Sequence, residues 1–128
     1  MARVLVVDDN AINRQLCRDV LRHRGHAVAE AIDGRDALEQ ISTAHPDVVV
    51  LDIQMPGMSG LEVLRQVRAS ADHRIAHTPV IAATALAMAG DRERCLSAGA
   101  SEYLPRPFTL KQLVALVESL ALPQVRHE

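Results

Sequence analysis

The sequence Val48-Val-Val-Leu-Asp-Ile-Gln-Met-Pro-Gly-Met-Ser-Gly60 contains the pattern from which the fold can be predicted. Residues 48–51 form a continuous apolar run without alternation, which is typical of a strand covered on both faces in a parallel sheet. The run ends in a carboxylate, Asp52, and the Met-Pro-Gly tripeptide at 55–57 then breaks the strand before a helix that we expect to begin at Leu61. Ligands of open α/β sheets bind outside the carboxyl ends of the strands, so we expect Asp52 to be presented to a ligand and not buried.

Strand-like and helix-like segments alternate five times along the chain. Other strands are predicted at 3–7, 27–31, 79–83 and 101–104, and helices at 11–23, 35–42, 61–69, 90–97 and, after the N-cap Thr109, up to about residue 121. The polar segment 70–78 is interpreted as an irregular surface loop. This alternation predicts an α/β fold, a doubly wound parallel sheet with right-handed crossovers and helices on both faces. We place one domain at residues 1–122 and a frayed tail at 123–128.

Composition and charge limit the classes to which the protein can belong. With 128 residues and 48% hydrophobic content, the chain can bury one core. A formal net charge of -2 without a long basic run argues against direct nucleic-acid binding, which needs clustered Lys and Arg. No apolar run approaches about 18 residues and no cleavable signal is recognisable, so we expect a soluble, cytoplasmic protein without a membrane segment. Cys17 and Cys95 lack metal-binding spacing and are interpreted as buried, reduced thiols.

Polar residues follow the predicted strands at the point where each strand ends. Strand one ends at Asp8 and Asp9, strand three at Asp52, strand four at Thr84 and strand five at Arg106. Three carboxylates at one edge of a sheet repel one another, by about 4 kcal/mol for a pair 4 Å apart at an effective dielectric constant of 20. A hard divalent cation with oxygen ligands, for which we favour Mg²⁺, relieves this repulsion and also organises phosphoryl transfer.

Four segments at these strand ends carry a resemblance to a known family. They are Val7-Asp8-Asp9-Asn10, Leu51 to Gly57, Thr84-Ala85 and Tyr103 to Phe108. Together they resemble the receiver domain of two-component response regulators over nearly the whole chain. The resemblance implies a flavodoxin-like (βα)5 fold with strand order 2-1-3-4-5. The motif Asp8-Asp9-Asn10, followed by Asn13 three positions later, resembles that of receivers attached to hybrid histidine kinases.

The resemblance implies a phosphorylation site with a metal ion. Asp52 would accept a phosphoryl group from a phosphohistidine, and the domain would catalyse only its own phosphorylation and dephosphorylation. Asp9 and Asp52 would bind Mg²⁺ directly, Asp8 through water and Gln54 through its backbone carbonyl.

Three further residues have implied roles around the acceptor. Thr84 would hydrogen-bond a phosphoryl oxygen, and Tyr103 would swing inward as the Thr84 hydroxyl moves. Arg106 stands where the family has lysine, and the only lysine, Lys111, lies inside the last helix. Arginine keeps the charge but has a larger, planar head, so we expect phosphorylation to survive while its coupling or its dephosphorylation rate changes. The resemblance also implies a cis peptide between Arg106 and Pro107.

The resemblance also implies partners. A histidine kinase or histidine phosphotransfer protein would donate the phosphoryl group. A downstream effector would bind the face made by the fourth helix, the fifth strand and the fifth helix, which is also a candidate surface for a homodimer. In that last helix we expect core positions at Leu110, Leu113, Val114, Val117, Leu120 and Ala121, and outward positions at Leu116 and Leu122.

Two other functions stay open on the sequence. One is a phosphorylation-independent pseudo-receiver that binds partners, for which Arg106 is the support. The other is a small Mg²⁺-dependent phosphatase that works through an aspartyl phosphate. Against the phosphatase, the position two residues after Asp52 is Gln54 and not a second acid, and the chain has no P-loop.

Individual residues also have simpler interpretations. Asp8 and Asp9 alternatively cap the first helix, and Tyr103 is alternatively a core aromatic. His73 and His77 are four residues apart, a spacing that metal ligands use, but they lack a third ligand and are interpreted as solvated loop histidines.

Overall fold

The structure, a computed structural model, describes residues 1–84 and 89–121. Its elements are β1 (Arg3–Val7), α1 (Ala11–His23), β2 (Ala27–Ala31), α2 (Gly34–Ala44), β3 (Val48–Asp52), α3 (Gly60–Arg68), α4 (His73–Ala76), β4 (Val80–Thr84), α5 (Asp91–Ala98), β5 (Glu102–Pro105) and α6 (Leu110–Ala121). The strands form one five-stranded sheet in the order β2-β1-β3-β4-β5, and every neighbouring pair is parallel. The predicted α/β fold and its strand order are confirmed.

The sheet has an apolar layer on each face, because successive side chains of a strand point to opposite sides. Leu5 and Val7 of β1 join a cluster with the helices α2, α3 and α5, whereas Val4 and Val6 join a second cluster with α1 and α6. All five residues of β3 are buried, as are all five of β4. This double coverage explains why the strand sequences read as continuous apolar runs.

Side chains cap most of the helices at their N-termini. The Asn10 side chain accepts hydrogen bonds from two backbone N–H groups of α1, so the alternative that Asp8 and Asp9 cap this helix is wrong. Thr109 Oγ1 accepts from the Gln112 N–H, and Gln112 Oε1 accepts in return from the Thr109 N–H, which confirms the predicted cap of α6. The two acids that precede α1 are therefore available for another role.

Two features of the second half of the chain differ from the sequence prediction. The segment 70–78 contains the short helix α4, because the Asp72 side chain caps it and Arg68 Nη1 donates to the carbonyls of Ala76 and Thr78. In α6, Leu116 packs partly buried against the core, whereas Leu110 is exposed because it opens the helix beyond the end of β5. Leu122, the predicted boundary at residue 122 and the tail at 123–128 lie outside the described residues.

Two side chains from neighbouring helices donate hydrogen bonds to the outer edge of the strand β2. The carbonyls of Val28 and Glu30 face away from β1, because alternate residues of β2 pair with that strand. Arg22 Nη2 donates to the Val28 carbonyl at 3.0 Å, and Gln40 Nε2 donates to the Glu30 carbonyl at 2.8 Å. Helices α1 and α2 thus each contribute one side chain to this edge.

The longest helix in the described part of the chain is α1, with 13 residues, and none of the helices there is both long and apolar enough to cross a membrane.

Candidate functional site

Three carboxylates meet at the carboxyl edge of the sheet. Strands β1 and β3 pair with Val7 opposite Leu51, so the acids that follow them lie side by side. One carboxylate oxygen each of Asp8, Asp9 and Asp52 lies within 4.8 Å of the other two. Asp9 is exposed, whereas Asp8 and Asp52 are buried. The parallel sheet thus brings together the acid cluster that the strand ends predict.

Asp52 itself is only 8% exposed, so the expectation that this acid is not buried is wrong. It is still part of β3, where it lies opposite Ala83 of β4. The start of α3 also packs closely against it: a Cβ atom on Gly60 would lie 2.4 Å from the Asp52 carbonyl oxygen. These neighbours are distant in sequence, which is why the strand pattern alone does not indicate the burial.

The Asp52 carboxyl group is held in an environment that opposes its charge. Burial is the main reason why the pKa of Asp52 is raised to about 7, and the negative charges of Asp8 and Asp9 raise this pKa further. The hydrogen bond from the Gln54 N–H and the positive charge of Arg106 lower it in part. The Gln54 N–H donates to Asp52 Oδ1 at 3.0 Å. In the absence of a cation the cluster therefore retains a proton near neutral pH, and binding of a divalent cation would favour its release.

Asp8 is the most constrained of the three acids. Its N–H donates to the Ala31 carbonyl at 3.2 Å, which ties it to β2. Its Oδ1 accepts from the Asn10 N–H at 2.8 Å, and its Oδ2 accepts from Arg106 Nη2 at 2.9 Å. Both carboxylate oxygens of Asp8 are thus already hydrogen-bonded.

Arg106 reaches the acid cluster from the segment after β5. Its guanidinium carbon lies 5.3 Å from the centroid of the Phe108 ring, so the head group is held between an acid and an aromatic face. No acceptor among the described residues bonds to its buried Nε. The Arg106–Pro107 peptide is cis, as the resemblance implied. Lys111 is exposed on α6, so Arg106 is the cation that meets the acids.

Gln54, Thr84 and Tyr103 lie around the same edge of the sheet. Thr84 is buried at the end of β4, and it follows Ala83, the residue that lies opposite Asp52. The Thr84 carbonyl accepts a hydrogen bond from the Arg106 N–H at 2.8 Å. Gln54 and Thr84 line a common cavity of about 170 Å³. Tyr103 lies opposite Ala82 and packs partly buried against the α2–α3–α5 core cluster, which agrees with its interpretation as a core aromatic. Its role as a switch stays a prediction.

The histidine pair His73 and His77 forms no metal centre with the described residues. The two rings stack with centroids 5.9 Å apart, and both residues are exposed on and after α4. Within residues 1–84 and 89–121, the acid cluster is the sole group of three or more His, Cys, Asp or Glu side chains that can hold a metal ion.

Arg14 is a site residue that the sequence analysis missed. Its Nη1 donates to the Asp8 carbonyl at 2.9 Å, and its Nε donates to Glu30 Oε1 at 3.2 Å. An arginine near the start of a helix looks like an ordinary surface residue, and its acidic partner lies 16 positions away on β2. Only the packing of α1 beside β2 in the folded protein brings the two together.

A family model for the response regulator receiver domain matches residues 4–118. The chain belongs to this family. Its members are signalling proteins.

Individual relatives and solved structures agree with this assignment. The response regulator MprA of Mycolicibacterium vanbaalenii is 43% identical over 118 residues, which cover 92% of this receiver and 49% of the relative. MprA of Mycobacterium ulcerans is 42% identical with the same coverage. The chain thus spans about half the length of these curated relatives.

Among solved structures, the receiver domain of the Francisella response regulator 1452 is 31% identical, with a TM-score of 0.86 over 94% of this chain and 97% of that one. The Vibrio cholerae chemotaxis protein CheY4 is 32% identical, also with a TM-score of 0.86, over 94% of this chain and 98% of that one. These two chains are therefore matched over almost their full length.

The donor atoms of the acid cluster fit the metal that the family uses. Receiver domains bind Mg²⁺ at an acidic pocket, and the three carboxylates of this receiver converge in such a pocket. Mg²⁺ prefers hard oxygen ligands and keeps several of its waters, so one or two direct carboxylates with further water-mediated contacts meet its needs.

Proposed function

We propose that this receiver is the phosphoryl-accepting switch of a two-component phosphorelay. In this proposal, Mg²⁺-dependent transfer from a phosphohistidine to Asp52 changes a face that binds a partner. The observation that carries the proposal is the convergence of three carboxylates within 4.8 Å, beside an arginine that is hydrogen-bonded to one of them. A buried acid, a candidate cation site and a fixed positive charge are the groups that phosphoryl transfer requires.

The metal ligands follow from the different environments of the acids. Asp8 already shares both of its oxygens with hydrogen-bond donors, which supports an indirect role through water. Asp9 is exposed and its carboxylate bonds to none of the described residues, so we assign it, with Asp52, as a direct ligand. The backbone carbonyl of Gln54 completes the proposed set. The cation would neutralise the acid cluster and the charge on the incoming phosphoryl oxygens.

Asp52 is the proposed nucleophile. Because its Oδ1 accepts the Gln54 N–H, its Oδ2 is the oxygen that we propose for attack. The new bond joins Oδ2 to phosphorus as the phosphorus–nitrogen bond of the phosphohistidine breaks, and the donor imidazole keeps the electron pair and takes up a proton. The acid must be ionised for this step, so the proton that its raised pKa retains near neutrality has to leave first.

Arg106 and Thr84 are the proposed partners of the phosphoryl oxygens. The guanidinium of Arg106 lies at the acid cluster and has a buried N–H donor without an acceptor among the described residues, which supports a second contact when an oxyanion is present. The buried Thr84 hydroxyl is proposed as a donor to the same group. Removal of either group is expected to weaken the hold on the phosphoryl group without removing the acceptor.

Signal output is proposed to use the face made by α5, β5 and α6, which are the fourth helix, fifth strand and fifth helix of the sequence analysis. Thr84 ends β4, and β4 pairs with β5, on which Tyr103 lies, so a movement at Thr84 would reach this face through β5. We propose that Tyr103 follows the Thr84 hydroxyl inward. A downstream effector is the proposed ligand of the face, and a homodimer through the same face stays a prediction.

Intact-mass measurement tests the proposal. The full chain is incubated with acetyl phosphate in Mg²⁺ or in chelator, as wild type, Asp52→Asn and the surface control Asp19→Asn. We expect one added phosphoryl group in the wild type and the control, only with Mg²⁺, and none in Asp52→Asn. A folded wild type that forms no adduct under any condition would contradict the proposal and favour the phosphorylation-independent binding module. Sustained turnover of a generic phosphate ester would favour the phosphatase.

A further inference from the structure

Arg14 links the acid cluster to the edge strand β2. It lies in the first turn of α1, and its side chain is only 16% exposed. One end of its guanidinium donates to the backbone carbonyl of Asp8 at 2.9 Å, and its Nε donates to Glu30 Oε1 at 3.2 Å. Arg14 donates to the backbone carbonyl of Asp8 and not to its carboxylate. It therefore places a positive charge beside the site without bonding to any of the three carboxylates.

The Asp8 carbonyl belongs to the peptide unit that joins Asp8 to Asp9. Because that unit is planar, a hydrogen bond that fixes the carbonyl also fixes the direction of the following N–Cα bond. The Asp8 N–H is held separately by the Ala31 carbonyl. The Asp9 carboxylate has no hydrogen-bond partner in the described part of the chain, so the position of its backbone sets the region that the carboxylate can reach.

We infer that Arg14 is a positioning residue for the metal ligand Asp9, which it orients through the Asp8–Asp9 peptide. This inference rests on the proposed function, since it concerns the same metal site. Removal of a group that is hydrogen-bonded directly to a metal ligand commonly changes the metal affinity by about 10- to 100-fold, and Arg14 acts through one peptide unit more, so we expect an effect at the lower end of this range.

Arginine suits this position because it can donate to two acceptors at once. A lysine has a single ammonium on a flexible stem and does not match two acceptors in a fixed geometry. Glu30 is itself held in place, because its Oε2 accepts from Arg18 Nη1 at 3.0 Å. Burial acts to raise the pKa of Glu30, but the hydrogen bonds from Arg18 and Arg14 hold it below its ordinary value, so the pair stays ionised at neutral pH.

The neighbouring Arg18 offers a matched control. It binds the same Glu30 but makes no contact with Asp8. Removal of Arg18 therefore disturbs the same ion-pair network on α1 and β2 while the Asp8 carbonyl keeps its donor. Arg14→Met also removes a positive charge beside the site, but loss of that charge would strengthen Mg²⁺ binding, so weaker binding than in the Arg18 variant reports on the carbonyl contact.

The test is the Mg²⁺ dissociation constant of the full chain, measured by isothermal titration calorimetry. We expect Arg14→Met to raise it about tenfold or more, Arg14→Lys to raise it less, and Arg18→Met to leave it within about twofold of the wild type. Urea unfolding in chelator shows whether Arg14→Met stays folded. If it does not, Glu30→Gln replaces it, with an expected rise of at least about threefold.

The outcomes separate the inference from the function on which it rests. Wild-type binding with equal constants for Arg14→Met and Arg18→Met would overturn the inference and leave the proposed function intact. A wild type that binds no Mg²⁺ at millimolar concentration would contradict the proposed function itself, and the positioning role with it.

Discussion

Arg106 Nη2 donates to Asp8 Oδ2 over 2.9 Å, and this bond joins the segment after β5 to the end of β1. The Asp8 side chain is 4% exposed and that of Arg106 is 21% exposed, so solvent and salt screen the pair only weakly. The guanidinium carbon of Arg106 also lies over the Phe108 ring, 5.3 Å from its centroid. The arginine therefore offsets part of the negative charge of the acid cluster and is at the same time held in a fixed orientation by an aromatic ring.

The exchange Arg106→Lys tests what the arginine contributes. A lysine keeps the charge but offers one hydrogen bond fewer to a phosphoryl group and no planar face for Phe108. We expect Asp52 to be phosphorylated in both proteins and the lysine variant to lose its phosphoryl group about threefold faster, which corresponds to about 0.7 kcal/mol in the barrier. Lys111→Arg, the reverse exchange on exposed α6, is the control. Equal or longer lifetimes in Arg106→Lys would contradict the prediction.

The stability of the metal-free protein is expected to depend on the charge of Asp52. Its pKa is about 7 in the folded state and 3.8 for the free side chain, so between these pH values the folded state binds the extra proton and stability falls as pH rises. In chelator at pH 8, we expect Asp52→Asn to be more stable than the wild type by about 2 kcal/mol, a value reduced for solvent screening.

Urea unfolding followed by circular dichroism at pH 5 and pH 8 measures this difference. The advantage of Asp52→Asn is expected to shrink at pH 5, where the wild-type acid is protonated in the folded state. An advantage that does not depend on pH would mean that the substitution acts through packing and not through charge.

Asp9 is expected to affect metal binding and not the fold. Its exposed carboxylate bonds to none of the described residues, so Asp9→Asn removes a repulsive charge from the cluster without breaking a contact. We expect the Mg²⁺ dissociation constant to rise at least about tenfold, with no loss of stability in chelator. Asp19→Asn, an exposed acid on α1, serves as the control. Isothermal titration calorimetry measures the Mg²⁺ dissociation constants of the wild type and both variants. An unchanged constant in Asp9→Asn would exclude Asp9 as a ligand.

Gly60 is expected to be essential to the packing beneath Asp52. A Cβ atom there would lie 2.4 Å from the Asp52 carbonyl oxygen and 2.7 Å from Ile53 Cα, and both are backbone atoms that cannot move aside. We expect Gly60→Ala to lower the free energy of unfolding by about 3 kcal/mol. At Gly25 the φ angle is +91° and nothing lies within 4 Å of an added Cβ, so Gly25→Ala should cost only about 1 kcal/mol of backbone strain. Similar losses in the two variants would contradict the packing argument.

The strands and the acids were predictable because their signals are local. The apolar run before Asp52 and the pair Asp8-Asp9 after another such run are contiguous in sequence, and parallel pairing requires their ends to meet. The burial of Asp52 was not predictable, because it depends on β4 and on the close approach of α3. The contact of Arg14 with Glu30 was missed for the same reason, since only the packing of α1 beside β2 brings them together.

Helix amphipathicity predicted the faces of α6 only in part. The spacing of residues in a helix predicts the direction of each side chain around the helix axis. It does not predict where along that axis the helix is in contact with the sheet. Leu110 has a core-facing angle, yet it lies at the exposed beginning of the helix, whereas Leu116 finds neighbours at the side of the core cluster. The helix α4 was missed because it has only four residues, of which Ile75 is the one large apolar side chain, and this is too short for a periodicity to be recognised.

The side chains that cover β2 have a consequence for the behaviour of the protein at high concentration. An edge strand with unpaired carbonyls is a template on which another chain can add a strand, and this is a common start of aggregation. In this protein Arg22 and Gln40 already occupy the outward carbonyls of Val28 and Glu30. A second molecule would have to displace both donors before it could extend the sheet from that side, so assembly by strand addition at β2 is disfavoured while the helix surfaces stay available for reversible contacts.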